Sequence, residues 1–321
     1  MSTLIMAAEI LFRESRGRAG FGIRRVSEIH TEKSWKEFTG TAEIVLPRNV
    51  RDFKRIEANR LFEIGDPVTV RFGYGAGEVP VEFEGYISDV ADGVPYRIKL
   101  EDEMFRLKRG SVTVSKKGII LKQLLETIAP GYKVVCPDVP LGTVKYTDVA
   151  PIAILENLKK ELGIYTYFVD KVLHATDGNS QESGTINVLL EKNAVSENLN
   201  RKSKAEEKIQ VKFKSLQRNG KYITYEEGDK SGTVQIRNWP YLTLEEIKVR
   251  AKRIVELQKT KGFDGTITLF GIPRATQGMK IDLKSLFYKN MDGLYYIDKV
   301  VKDFSPGGIR QEITIGNKAA L

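Results

Sequence analysis

The sequence predicts a mainly β, α+β chain in which two related β-barrels flank an α+β middle. Three observations carry this prediction. Apolar and polar residues alternate with a period of two near both ends of the 321 residues. Helical apolar stripes interrupt that pattern in the middle and once more near residue 250. A pattern of glycine turns and Tyr-Ile strands occurs twice.

In the first hundred residues the strand candidates are 3–12, 22–30, 40–46, 67–74, 81–90 and 95–101. Val68, Val70 and Phe72 alternate with Thr69 and Arg71, and Ile98 and Leu100 with Arg97 and Lys99. A sheet with one solvated face requires this period. Gly73-Tyr74-Gly75-Ala76-Gly77 connects two of these runs and supplies the backbone freedom of a tight turn. Short strands with glycine turns predict a small barrel or sandwich. Between strands, Pro47 to Leu61 reads as a charged excursion with four arginines and one lysine against two acids. Val50, Phe53 and Ile56 stand three apart within it, the spacing of a short helical or irregular segment.

The middle changes character. From Gly118 to Ala129, Ile119, Ile120, Leu121, Leu124, Leu125 and Ile128 form a helical stripe closed by Pro130-Gly131. A second helix follows Asp148, an N-cap candidate, through Pro151, Ile154, Leu155, Leu158 and Leu162 to a stop at Gly163. Strands are predicted at 164–169, 171–175 and 185–190. Asn193 to Glu207 is polar enough to read as a loop or linker.

The last third returns to strands, at 208–216, 221–226, 232–237, 263–270, 279–286, 294–303 and 308–316. One helix, Leu242 to Lys261, interrupts them. Thr243 and Glu246 fit a capping box, and Leu244, Ile247, Ala251, Ile254 and Val255 share a face.

Gly65-Asp66-Pro67-Val68-Thr69-Val70, Gly85-Tyr86-Ile87-Ser88-Asp89-Val90 and Tyr96 to Glu101 have a counterpart later in the chain. It is Gly278-Met279-Lys280-Ile281-Asp282-Leu283, Tyr295-Tyr296-Ile297-Asp298-Lys299-Val300 and Arg310 to Gly316. The repeat predicts two related barrels.

Chemistry is scarce. One cysteine, Cys136, excludes a disulfide scaffold and a thiolate-rich zinc site. Two histidines, His30 and His174, stand too far apart in sequence to announce a metal centre. Gly73-x-Gly75-x-Gly77 leads into Pro80 and a strand rather than a helix, so it is a hairpin and not a phosphate cradle. Paired acids such as Glu101-Asp102-Glu103 point to opposite faces of a strand, unlike a general acid/base pair or a metal cage. No catalytic residue, metal or cofactor is therefore expected.

The net charge of +9 is uneven. Residues 1–108 hold 17 basic and 18 acidic side chains, whereas 192–261 hold 17 basic and 9 acidic ones. A basic block fits nucleic acid, an acidic surface or a solvated face without a partner. Neither a cationic leader nor a run of about 20 apolar residues is present, and Glu9 interrupts the apolar start. A cytoplasmic protein without a membrane segment is expected.

The stretches Ile247 to Glu256, Phe263 to Pro273, Gln277 to Ile281 and Gly293 to Val300 together resemble the phage late control D family. Ile64 to Val70, Phe83 to Ile87 and Leu100 to Asp102 agree with them at the front. Members of that family are tail and baseplate hub proteins, similar to the T-even phage hub and to the N-terminal part of type VI secretion spikes. The resemblance implies two tube-like split β-barrels per chain: 1–103 as the first, 104–205 as an α+β middle, and 206–321 as the second, with helix 242–261 inserted. It implies a homotrimer whose six barrels match a sixfold tail tube on one side and a trimeric spike on the other. The sequence ends five residues after Gly316, so the spike or tip is expected to be a separate protein. The expected setting is the cytoplasm during assembly and then the baseplate of a virion or injection particle.

Partner contacts are expected on the charged excursion, at Arg48, Arg51, Lys54, Arg55 and Arg60, and on the polar stretch at Arg201, Lys202, Lys204 and Lys208. Nucleic acid is expected only in passage through the lumen. Two other readings stay open: nucleic-acid binding by the 192–261 block, and a tail-tip peptidoglycan hydrolase.

Overall fold

Alternating sequences pair into antiparallel ladders because each residue shifts its side chain to the opposite face, so one apolar face can be buried. A computed structural model describes residues 5–47, 61–75, 79–91, 93, 95–177, 184–202, 208–258 and 262–319. The chain is mostly β, as expected, with few helices.

The first unit comprises β1 (Met6–Phe12), β2 (Phe21–Ile23), β3 (Glu28–Ser34), β4 (Thr41–Leu46), β5 (Pro67–Tyr74), β6 (Val81–Ala91) and β7 (Tyr96–Glu101). Its strands wrap a core of Ile10, Ile44, Phe72, Phe83, Ile98 and Leu100. The middle adds α1 (Met104–Leu107), β8 (Val112–Ile120), α2 (Leu121–Ile128), β9 (Lys133–Val135), β10 (Pro140–Val149) and α3 (Pro151–Asn157), extended by a π-helical turn, Leu158–Leu162. Then come β11 (Tyr165–Val169), β12 (Val172–Thr176), β13 (Thr185–Leu189), α4 (Leu190–Asn193) and β14 (Ala194–Arg201). The chain continues with β15 (Ile209–Leu216), β16 (Tyr222–Gly228), β17 (Thr233–Asn238) and α5 (Leu244–Gln258). It finishes with β18 (Phe263–Phe270), β19 (Lys280–Lys284), β20 (Gly293–Ser305) and β21 (Gly308–Lys318).

The repeat proves to be a repeat of topology. One sheet of 13 strands runs through both ends of the chain. In the first unit the neighbours are β1-β5-β6-β7-β4-β3; in the second they are β13-β19-β20-β21-β18-β14. Counted in chain order, both arrange six strands as 1-4-5-6-3-2. Register agrees as well. Ile87 pairs with Leu100 and Ile297 with Ile315, and in both ladders a bulge follows at once, at Ser88 and at Asp298. Gly65 donates its N–H to the Ile87 carbonyl at 2.8 Å, and Gly278 to that of Ile297 at 3.2 Å. Both glycines have φ near +90°, at 93° and 86°, a conformation that a Cβ would strain. One pairing differs: β1 is antiparallel to β5, whereas β13 is parallel to β19.

The expected boundary near residue 205 does not coincide with the division of the cores. The second unit begins at β13, and its core holds Ile186, Val188, Ile267, Ile281, Ile297 and Ile313. Residues 209–258 lie in sequence between its second and third strands and pack instead with the middle. Phe213, Trp239, Ile247, Ala251 and Val255 share one core with Leu124, Leu125, Ile154 and Leu173. The physical cause is α5, whose apolar stripe needs a covering surface. It finds one on β15 and β16 rather than on the second barrel.

Local expectations changed in other places. The polar stretch expected to be a loop forms β14 over residues 194–201, paired along one edge with β18. Its side chains are largely exposed, so no apolar alternation announced it. Strands β8 and β10, not among the expected strands, form an antiparallel pair. Asp148 is the penultimate residue of β10, with positive φ, and the helix cap falls on Ala150 ahead of Pro151. The Thr243–Glu246 capping box is present: Glu246 accepts from the Thr243 N–H at 2.8 Å and donates its own to Thr243 Oγ1 at 3.3 Å.

Candidate functional site

The residues that join the two units form a connected set of polar contacts. Strand β20 is long enough to serve two neighbours along one edge. Its first half pairs with β19, and Lys299 to Phe304 pair antiparallel with Ser34 to Ile29 of β3. This seam makes two barrels one sheet.

Three groups of side chains fasten it. At the β20 bulge, the buried Asp298 carboxylate accepts from Trp35 Nε1 at 2.8 Å and from Lys36 Nζ at 2.5 Å. Its carboxylate occupies the space where a Cβ on residue 316 would lie, which is why Gly316 faces it. Along the ladder, Lys299 and Glu32 pair at 2.6 Å and His30 Nδ1 lies 2.7 Å from Asp303. The hydrogen bond to Asp303 raises the His30 pKa above its ordinary value, against a smaller opposing effect of burial.

Deeper in, Glu82 of β6 is 7% exposed and meets two cations of the second unit, Lys302 Nζ at 2.5 Å and Arg274 Nε at 2.8 Å. Burial pulls Lys302 down to about 8 despite the attraction of Glu82. Burial lowers Lys33 as well, and its ammonium lies over the Phe83 ring, 5.5 Å from the centroid. A cavity of about 300 Å³ adjoins these groups, lined by Lys33, Glu82, Asp102, Asp170, Arg274 and Gln277. Buried ion pairs contribute little net stability, since desolvation offsets attraction, but they penalise any arrangement that leaves one partner alone. Glu82 therefore fixes how the units sit together.

The first unit is tied to the middle next door. Asp102 accepts from the N–H groups of Gly40 at 2.8 Å and Met104 at 3.0 Å, and burial pushes its carboxyl up to about 7 against those bonds. Buried Glu103 accepts from Tyr86 Oη at 3.0 Å and also from Tyr132 Oη. Burial, reinforced by Glu103, pushes the Tyr86 hydroxyl up to about 12.

Of the expected contact residues, Arg48, Arg51, Lys54, Arg55, Arg60 and Lys204 lie outside the described residues. Arg201 ends β14 and is exposed. Lys202 follows it and donates to Asn317 Oδ1 at 2.7 Å. Lys208 precedes β15 and faces Asp229 at 3.6 Å. Arg201 and Lys202 thus stand together on the second unit, while Lys208 belongs to the sheet of the middle. The basic block is partly neutralised: Lys212 pairs with Glu226, Lys248 with Glu245, and Arg250 with Asp177.

His174 stacks on Tyr167 at 5.4 Å, and burial raises the Cys136 thiol above its ordinary pKa. Among the described residues no group of three or more His, Cys, Asp or Glu side chains could hold a metal. No described helix is long and apolar enough to cross a membrane.

Sequence reasoning missed Glu82, Asp298 and Lys302. A usable signal existed, since each stands inside a run of strand residues that is otherwise mostly apolar. The partners lie more than 190 positions away, which no local pattern reports.

No protein-family model matches the sequence, and no curated protein matches it. Solved structures do. The 43 kDa tail protein of prophage MuSo2 from Shewanella oneidensis superposes with a TM-score of 0.64 at 15% identity, over 99% of each chain. The chain has a phage tail protein fold. A tail protein from Neisseria meningitidis gives 0.65 at 14% identity, covering 98% of this chain and 96% of that one. A type VI secretion component from E. coli, described as similar to the T4 tail proteins gp27 and gp5, gives 0.57 at 11% identity over 92% and 74%. The likeness spans nearly the whole chain and so includes both copies and the middle.

Proposed function

We propose that the chain is a structural hub subunit of a phage tail or a related injection apparatus, and that three copies close into a ring. The observation that carries this reading is the doubled unit with one strand order and one register. Three chains present six equivalent units, enough to meet a sixfold tube protein, while the two units of each chain differ enough to keep a true threefold for a spike or tip protein. The work is geometric and needs no catalytic group. The same reading puts the chain in the cytoplasm during assembly and in the baseplate afterwards, with nucleic acid meeting it only in the lumen.

Arg201 and Lys202, and the excursion at Arg48, Arg51, Lys54, Arg55 and Arg60, remain proposed partner contacts. Native mass spectrometry of the purified chain, alone and with a tail tube protein, tests the reading. A mass of three times 36.2 kDa is the expected result. A monomer at high concentration that forms no ring on addition of tube protein would remove it.

A further inference from the structure

Each strand-to-strand seam consumes two edges, and the chain uses only one of two equivalent pairs. Inside the chain, strand two of the first unit, β3, joins the second half of strand five of the second unit, β20. The equivalents are strand two of the second unit, β14, and the second half of strand five of the first unit, β6. Strand β14 ends the sheet, with no described strand on its outer edge. Strand β6 pairs with β5 from Val81 to Tyr86, and among the described residues no strand covers that edge from Ser88 to Ala91. Six of the eight β14 residues are exposed: Val195, Ser196, Glu197, Asn198, Asn200 and Arg201.

We propose that these two edges pair between copies of this chain, β14 of one subunit against the second half of β6 of the next. The in-chain seam sets the register. Matching ladders align Asp89 with Lys299 and Val90 with Val300, and align Asn200, Arg201 and Lys202 with Glu32, Lys33 and Ser34. Since Lys299 lies opposite Ser34 and Val300 opposite Lys33, Asp89 comes opposite Lys202, Val90 opposite Arg201, and Ala91 opposite Asn200. An acidic residue thus meets the basic end of β14. Within its own chain Asp89 is half-exposed and pairs with Lys99, at 3.2 Å.

An open, unbroken edge is a template for another strand and is normally covered. The contact uses different surfaces on the two partners, so repetition closes a ring rather than a dimer. Asp298, which locks the in-chain seam, has Ser88 as its counterpart, so the seam between subunits lacks that buried lock. Arg201 and Lys202 acquire a defined role: they end the strand that crosses to the next subunit. This inference rests on the proposed ring and names its interface.

The test is Asp89→Cys with Lys202→Cys in a Cys136→Ser background, oxidised and run on a non-reducing gel. Ser34→Cys with Lys299→Cys, the same pair inside the chain, serves as the control for geometry. The expected result is bands at two and three times the chain mass for the first pair, abolished by reductant and absent from either single variant. Native mass spectrometry of the unoxidised protein separates the outcomes. A trimer whose Asp89/Lys202 cysteines stay unlinked, while the control pair closes, overturns the interface and leaves the ring standing. A monomer that does not cross-link overturns both.

Discussion

The two units share one order of six strands and one register at the bulge, yet they differ wherever one of them meets something else. At the bulge, the second unit sets Asp298 against Gly316, whereas the bulge residue of the first is Ser88. The acid of the second unit is buried and bonded across the seam; the serine of the first has nothing comparable to hold. Asp102, just after β7, accepts two backbone N–H groups in the first unit, while its counterpart Asn317, near the end of β21, accepts from Lys202. The loop between strands four and five contrasts too. It is glycine-rich in the first unit, whereas in the second it presents Leu286, Phe287 and Tyr288, all exposed, on a backbone whose N–H groups are bonded to Glu191 and Ser285. Common architecture is thus carried by backbone pairing and core, and distinct roles by a few polar substitutions at edges.

The severest way to break the comparison is at Glu82. Replacing it by Gln leaves buried Lys302 without its countercharge and removes an anchor of Arg274. Loss of one partner of a buried pair costs about 3–5 kcal/mol. Because Lys302 is already pulled down to about 8, it can shed its proton, which places the expected loss at the lower end. Urea unfolding should show it as a fall in midpoint, and an unchanged midpoint would show that Glu82 does not join the units.

Asp298→Ser makes the bulge of the second unit resemble that of the first. Trp35 Nε1 and Lys36 Nζ lose their shared acceptor, for an expected cost of about 1–3 kcal/mol. Loss of protection at β3 amides in hydrogen exchange, with β4–β7 unaffected, would locate the effect at the seam. Uniform protection in both would count against it.

The mildest change is Asp102→Asn, which gives the first unit the residue of the second. Asp102 titrates at about 7 in the folded chain and near 3.8 when unfolded. Between these values the folded state holds the proton and the unfolded state does not. Stability therefore falls as pH rises from about 4 to 7, by at most about 1.4 kcal/mol per pH unit. Asparagine should flatten that slope in thermal melts across the window, and an unaltered slope would assign it to other groups.

How much was legible follows from the same residues. Alternation exposed the strands with one buried face, β5 and β7 among them, and the glycine and Tyr-Ile pattern exposed β5–β7 and β19–β21 as copies. Strand β14 was illegible because its faces are polar and only its hydrogen bonds to β18 define it. The placement of 209–258 was illegible because an apolar helical stripe demands a surface without saying which. Of the expected contact residues, Arg201 and Lys202 were found as charge, and only the ladder showed them at the end of an open edge.

The sequence by itself determined that this chain is mostly β, contains one unit twice and offers little reactive chemistry. Those properties reside in local periodicity, repeated turn glycines and the residue inventory. The tertiary structure alone decided which half of β20 crosses to β3, which carboxylates are buried against which cations, and which edges stay open. The physical reason is that backbone groups pair wherever geometry brings them together. An edge is therefore free or satisfied according to strands that lie hundreds of residues apart, and no side-chain pattern along the chain records it.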